Sequence, residues 1–385
     1  MSAVATSSEM ADFFDELNAL ERELRAGLSE DDLEHLLRID RWSRRCTAAG
    51  WATAWMGPNL LSAGLLSLGR TARWTMLGHH IRHGGYSRLA GKDGAPDWIH
   101  RERFAAGGRR VFDWLDVILP EAWDAEHNDR HHTRLGEDAD PDRVEDNLAW
   151  LRASSLPMPV RYAFVAVMAS AWKWIYYAPN TLQELRAAKD RAAGGTGARH
   201  RLSDWRTWSP TTQEGRSLWL RAFLPYALIR FALAPGMFAP LGPLAVASAA
   251  TNSLLAELLT NLHTFVIITT NHVGDDVYAF DDPPDSREDF VLRQIVGSVN
   301  YSTGGDVNDF LHGWLNYQIE HHVWPDMSML QYQRAQPRLK ALCEKYGVPY
   351  VQQPVGARLR QTLRVMTGRA DMKRGAYAPE RASSG

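Results

Sequence analysis

Residues 218–272 read LWLRAFLPYALIRFALAPGMFAPLGPLAVASAATNSLLAELLTNLHTFVIITTNH. The block is apolar on both sides of a centre broken by Pro235, Gly236, Pro240, Gly242 and Pro243. Each half approaches the roughly 20 residues that a helix needs to cross a bilayer core, and Pro and Gly mark turns. The stretch therefore predicts two spans joined by a tight outer turn, a hairpin that returns the chain to the side it left. Arg221 can snorkel from the end of the first span, whereas Arg230 falls inside it, where a charge needs a partner.

Upstream, AAGWATAWMGPNLLSAGLLSL from Ala48 to Leu68 carries no charge. Its length suits one crossing, and its Gly57-Pro58 equally allows a broken or re-entrant pair of short helices. Both forms place Arg70 and Arg73 at a cytoplasmic exit. Tyr162 to Trp172 is short before Lys173 interrupts it, and the aromatic cluster Trp172, Trp174, Tyr176 and Tyr177 follows. This pattern predicts a segment lying in the membrane interface. The loop expected from Thr181 to Ser217 holds seven basic residues against four acidic ones, which keeps it in the cytoplasm.

The flanks are polar. Residues 1–47 lack a signal-peptide pattern; Leu17, Leu20, Leu24 and Leu28 fall at helical spacing and predict a cytosolic amphipathic helix packed on the body. Residues 48–365 are expected to form the membrane domain and residues 366–385 a disordered tail. The fold class expected is an all-α integral membrane protein, with about four transmembrane or re-entrant helices and a cytosolic helical cap.

Averages over the 385 residues hide this organisation. Lys and Arg number 43 against 45 Asp and Glu, and the mean hydropathy is −0.34. Balanced charge argues against nucleic-acid binding. Cys46 and Cys343 are too few for a disulfide framework or a thiolate metal site. No repeat and no nucleotide-binding loop is present.

The 14 histidines carry the chemical signal. Nine fall in four places: GHHIRHGG (His79, His80, His83), EHNDRHH (His127, His131, His132), NHVGDD (His272) and QIEHH (His321, His322). His79 and His83 are four apart, as are His127 and His131, while Gln318, His321 and His322 stand at i, i+3 and i+4. Each set shares a helical face and can converge on a metal. His80 points about 100° off the face of His79 and is left out of the ligand set. His312 is intermediate, and His35, His100, His200 and His263, which have no partners in sequence, are expected to be structural. Imidazole without thiolate suits Zn, Cu, Fe or Ni. Eight or so clustered histidines exceed the three or four of a mononuclear zinc site and point to two ions. Two redox-active ions beside a bilayer can activate dioxygen, which zinc cannot. All clusters meet on one membrane face only if the crossings between them are even, as the 218–272 hairpin makes them. The carboxylates Asp275, Asp276, Asp306 and Glu320 are candidates to orient imidazoles from behind.

These residues resemble the three histidine boxes of the membrane fatty acid desaturases: HHIRH at His79/His83, HNDRHH, and QIEHH. LNYQIEHHVWPDMS looks like the front-end and bacterial acyl-lipid branch, with Gln318 in place of a first histidine. The resemblance covers roughly residues 50–350. It implies iron ligands at His79, His83, His127, His131, His132, His321 and His322, with His272 fitting the place of a further ligand at the end of the last span. Gln318 would be a weak iron ligand or hold a water. The resemblance further implies two iron ions on the cytoplasmic side of a multi-pass bundle, an acyl-lipid or acyl-CoA substrate in a tunnel from the bilayer, and dioxygen as oxidant. No HPGG motif marks a fused cytochrome b5, so a separate donor of ferredoxin, rubredoxin or cytochrome b5 type is expected. Lipid hydroxylation, or action on a sphingoid base or carotenoid, is the alternative on the same scaffold. A membrane metal transporter is remote, because the histidines lie at span ends rather than inside spans. A ferritin-type carboxylate site is excluded by the lack of any Glu-x-x-His.

Overall fold

The computed structural model describes residues 7–199 and 202–375; His200 lies outside them. Helix α1 (Ser7–Ala26) buries Phe13, Leu17, Leu20 and Leu24 against the body, as its spacing predicts. Helix α2 (Glu30–Ala54) starts at a capping box in which Ser29 and Asp32 satisfy each other's backbone donors. It runs without a break through position 47, so the expected boundary between an N-terminal region and a membrane domain falls inside one helix.

The uncharged stretch 48–68 is a helical pair. Met56 to Asn59 turn the chain, and Asn59 caps α3 (Leu60–Thr71) by accepting from the Ser62 amide at 2.7 Å. The two helices pack closely because Gly69 faces α2: a Cβ there would lie 2.2 Å from the Thr47 hydroxyl and 3.0 Å from the Ser43 carbonyl. After α3 the helix continues through a π turn, Ala72–Gly78, into His79–Arg82. Helix α4 begins at Pro120–Trp123, passes through a second π turn, Asp124–His131, and ends at Arg134. Helices α5 (Met158–Trp172) and α6 (Ala178–Ala192) follow. Thr181, Leu182, Glu184 and Leu185 are buried, so the first third of the expected 181–217 loop is a packed helix instead.

The hairpin of 218–272 is present as α7 (Trp205–Gly236, with a turn at 209–212), an irregular tip, and α8 (Pro243–Thr264). Its tip lies beside that of the α2/α3 pair. Asn252 donates to the carbonyls of Ala54 and Gly57 and accepts from the Asn59 amide, while Ser248 donates to Ala54 and accepts from Gly57. Both tips thus sit at one end of a four-legged bundle, and the histidines sit at the other.

Among the described residues one helix, α7, is long and apolar enough to cross a membrane, so the expected count of about four is not borne out by that measure. The reason lies in α8. Its inward face carries Ser248, Asn252, Ser253, Glu257, Thr260 and Asn261, all buried, which lowers its mean hydropathy, while Leu244, Leu254, Leu258 and Leu262 are exposed on the opposite face. The inward polar groups are paired: Glu257 accepts from Arg70 at 3.1 Å and from the Trp174 indole at 2.9 Å. Arg70 is therefore a buried partner of α8 and not an exit anchor. Arg73 pairs with Asp40, Arg221 reaches Glu121 at 2.7 Å, and Arg230 lies over the Tyr226 ring.

The C-terminal part closes the cap with α9 (Arg287–Val296), α10 (Asp306–Leu311), α11 (Gln318–Val323), α12 (Met329–Tyr346) and α13 (Val355–Met366). Strand β1 (Tyr278–Ala279) pairs in parallel with β2 (Lys373–Arg374), Met372 is buried, and Arg374 pairs with Glu145. The expected tail from 366 is thus ordered cap through 375, and only 376–385 lie outside the described residues.

Candidate metal centre

Three π turns deliver six of the eight histidines, while His321 and His322 stand on the short helix α11. In an α-helix His132 would sit about 140° from His127 around the axis. Here the His132 amide bonds to the His127 carbonyl five residues back, and the widened turn brings positions i, i+4 and i+5 to one side. The His79 amide bonds likewise to the Trp74 carbonyl. Gly78 permits this approach, since a Cβ there would lie 2.7 Å from the Trp114 ring. The third π turn, Phe265–Thr269, ends α8 and leads to Asn271 and His272.

All eight predicted ligand histidines come together, in two groups. His79, His83, His127, His132 and His321 have ring nitrogens within 4.8 Å of one another, and so do His131, His272 and His322. In the first group Nε2 of His79 lies 3.0 Å from that of His321 and 3.2 Å from that of His127, and the His127 and His132 Nε2 atoms are 3.2 Å apart. The groups adjoin through the stacked rings of His132 and His322, 4.2 Å apart.

Four of the opposite ring nitrogens are held from behind, whereas Nδ1 of His127 and of His132 are buried without a partner. Nδ1 of His131 meets Asp140 at 2.9 Å, that of His272 the Gly297 carbonyl at 3.1 Å, and that of His322 the Gln294 amide oxygen at 3.0 Å. Nδ1 of His321 meets the Tyr332 hydroxyl at 3.2 Å, whose own proton goes to the backbone of Trp324 and Pro325. These acceptors put the proton on Nδ1 and leave the Nε2 lone pair facing inward. Nε2 of His83 and of His322 are buried without a hydrogen-bond partner, which suits a cation and would otherwise be unfavourable. Burial pushes the imidazoles of His79, His83, His127, His132, His321 and His322 well below their ordinary range, and His272 to about 3, so the neutral ligating form is the stable one. His131 goes the other way: burial alone would lower it, but the Asp140 carboxylate outweighs burial and raises it.

Gln318 belongs to the centre. Its amide nitrogen lies 2.9 Å from Nε2 of His272, and its oxygen accepts from Asn271 at 2.9 Å. The four carboxylates suggested as imidazole partners are engaged elsewhere. Asp275 pairs with Arg364, Asp276 with Arg358, and exposed Asp306 lies 3.9 Å from Arg38. Glu320 accepts from Asn300 and Tyr350, and burial raises it to about 7. Asp140 takes the role in their place. Its signal in the sequence is the tight turn LGEDADP just after HNDRHH, where the Gly136 and Asp142 amides also donate to it. His80 bonds to the Met76 carbonyl and stands outside both groups; His312 bonds to the Asn308 carbonyl, His263 to the Leu311 carbonyl, His35 packs on Trp314, and His100 accepts from the Glu102 amide.

A cavity of about 320 Å³ opens on this centre. It touches His79, His127, His131 and His272 and runs between Trp74, Trp172, Tyr177 and Phe265 toward Phe164 and Leu202. Among its polar groups Asn147 donates to the Tyr176 hydroxyl at 2.7 Å, which donates to Asp142 at 3.1 Å.

An imidazole-only donor set able to hold metal is thus buried beside an apolar cavity at the end of apolar helices. Residues 49–354 match the fatty acid desaturase family, and the chain belongs to it. The NADPH-dependent stearoyl-CoA 9-desaturase of Mycobacterium tuberculosis is 24% identical over 375 residues, covering 90% of this chain and 76% of that protein. Human fatty acid desaturase 3 is 33% identical over 116 residues, 30% of this chain and 25% of that protein. The acyl-lipid (9-3)-desaturase of Physcomitrium patens is 32% identical over 96 residues, 25% of this chain and 17% of that protein. The chain is thus an oxidoreductase of a membrane-associated family that acts on fatty acyl substrates.

Proposed function

We propose that this protein introduces a cis double bond into a fatty acyl chain, using dioxygen, two iron ions and electrons from a separate donor. The observation that carries the reading is the convergence of eight buried imidazoles on an apolar cavity. His79, His83, His127, His132 and His321 would hold one iron, and His131, His272 and His322 the other. Iron, when bound, supplies the dioxygen chemistry that removal of hydrogen from unactivated C–H bonds demands. The reaction takes two hydrogens from adjacent carbons; dioxygen accepts four electrons, two from the C–H bonds and two from the donor, and with those two hydrogens and two protons from solvent leaves as two waters.

The protein's own part is placement. Trp74, Trp172 and Phe265 line the path of the chain and exclude water. Asp140, Gln294, Tyr332 and the Gly297 carbonyl fix the imidazole faces. The legs α2/α3 and α7/α8 would span the bilayer with their exposed leucines toward lipid, leaving the metal centre on the cytoplasmic side. The relative aligned over 90% of the chain is a stearoyl-CoA enzyme, which favours an acyl-CoA substrate over an acyl lipid. Its NADPH dependence favours a reductase-fed electron carrier of ferredoxin, rubredoxin or cytochrome b5 type.

The test is expression in a host lacking the activity, with fatty-acid profiling and metal analysis. A new product two mass units lighter, with about two irons per chain, is expected. A gain of oxygen would establish hydroxylation instead, and host lipids unchanged in the presence of dioxygen would overturn the reading.

A further inference from the structure

Lys173 has no part in the chemistry above, yet its side chain is 1% exposed. It stands on the π turn Lys173–Tyr177 between α5 and α6, where its backbone amide donates to the Asn261 side chain of α8 at 3.0 Å. Its ammonium is paired with Asp116 and lies 4.7 Å from the centre of the Trp74 ring. Asp116 belongs to the segment after Trp114, the residue that buttresses Gly78. The ion pair thus ties two elements together across Trp74.

Trp74 is a wall of the cavity tied directly to the metal centre: its carbonyl accepts from the His79 amide, one π turn on. On its cavity side it packs with Trp172 at 6.2 Å and Tyr177 at 5.9 Å. A lysine held over a ring by a buried carboxylate fixes that ring's plane, because a cation is attracted to the ring face and the carboxylate prevents the cation from moving off. We propose that Lys173 is a positioning residue for regioselectivity: through Trp74 it fixes how far the acyl chain slides past the centre, and so which pair of carbons is oxidised. The inference rests on the desaturase reading. It adds that double-bond position is set beside the metals by a charged group behind the wall, and not only by where the cavity ends. The wider charged surroundings are Glu257, in electrostatic contact with Lys173, and Arg230, in contact with Asp116.

The experiment compares double-bond positions, by mass spectrometry of derivatised lipids, for the full-length protein and its Lys173→Met and Lys173→Arg forms. Because Lys173→Met strands the Asp116 charge, a Lys173→Met/Asp116→Asn form that removes both charges is included. A small displacement of reacting atoms changes rates by large factors, so the neutral forms are expected to raise the share of a second positional isomer about tenfold, at unchanged iron content, with Lys173→Arg restoring the original position. A purely structural role would lower yield and iron together while leaving the isomer ratio fixed. That outcome, or an unchanged ratio at full yield, overturns the proposal. Absence of any desaturated product from the unmodified protein is a different failure, that of the desaturase reading itself.

Discussion

Nδ1 of His131 and Oδ1 of Asp140 lie 2.9 Å apart, the one ion pair between an imidazole and a carboxylate among the described residues. Asp140 is itself held by the Gly136 and Asp142 amides, so the ring it orients cannot turn freely. Second-sphere partners of this kind change metal affinity by about 10- to 100-fold. Asp140→Asn keeps the shape and removes the charge. Chelator competition is expected to show one of two metals released in that range more easily, the other unaffected.

The grouping of histidines predicts a split in stoichiometry. His131→Ala removes a member of the three-histidine group and should bring the metal content toward one per chain. His80→Gln should keep both, because His80 bonds to Met76 and faces neither group. Elemental analysis of the purified variants decides it; equal losses from both would contradict the grouping.

How much of this was legible beforehand depended on range. The histidine sets, the hairpin of 218–272 and the buried face of α1 follow from local spacing, which sequence displays directly. What stayed hidden was long-range pairing. Arg70 looks like an exit anchor until Glu257, far along the chain, accepts from it. Asp275, Asp276 and Asp306 look like imidazole partners until arginines take them. The polar face of α8 conceals a lipid-facing stripe from any average, and the π turns cannot be read from a residue pattern scored with α-helical spacing. The assignment of His131 and His132 to different groups was hidden for that last reason.

Arg358 supplies a stability prediction outside the centre. It is fully buried, holds both Asp276 oxygens at 2.7 and 2.8 Å, and donates to the Val273 carbonyl next to His272. Removing Arg358 takes its hydrogen bond from the buried Val273 carbonyl and unpairs Asp276, which is a quarter exposed, so the cost falls below the roughly 3–5 kcal/mol of a fully buried pair but well above that of a surface pair. Arg358→Ala should lower the thermal midpoint in detergent markedly, whereas Lys345→Ala, which breaks an exposed pair with Glu16, should scarcely move it.

The outward face of α8 supplies another. Leu254 is 55% exposed on that face. If it meets lipid, Leu254→Arg opposes insertion by about 2.5–3.5 kcal/mol, the range for a charge at mid-bilayer, and Leu254→Ala by far less. Recovery in the membrane fraction should drop for the arginine form only; equal recovery of both would place this face outside the bilayer.

A π turn is an α-helix with one surplus residue, and three such turns precede or contain six of the eight clustered histidines. Upstream of each, the helix keeps the phase that packs it in the bundle; downstream, the side chains run in a shifted phase that serves the histidine cluster. The centre is therefore encoded as much by the length of these segments as by their letters. Loss of a single codon at Ala125 would spare every histidine and still turn His131 and His132 about 100° relative to the helix that carries them. Three short windows of this gene should therefore tolerate no change of length.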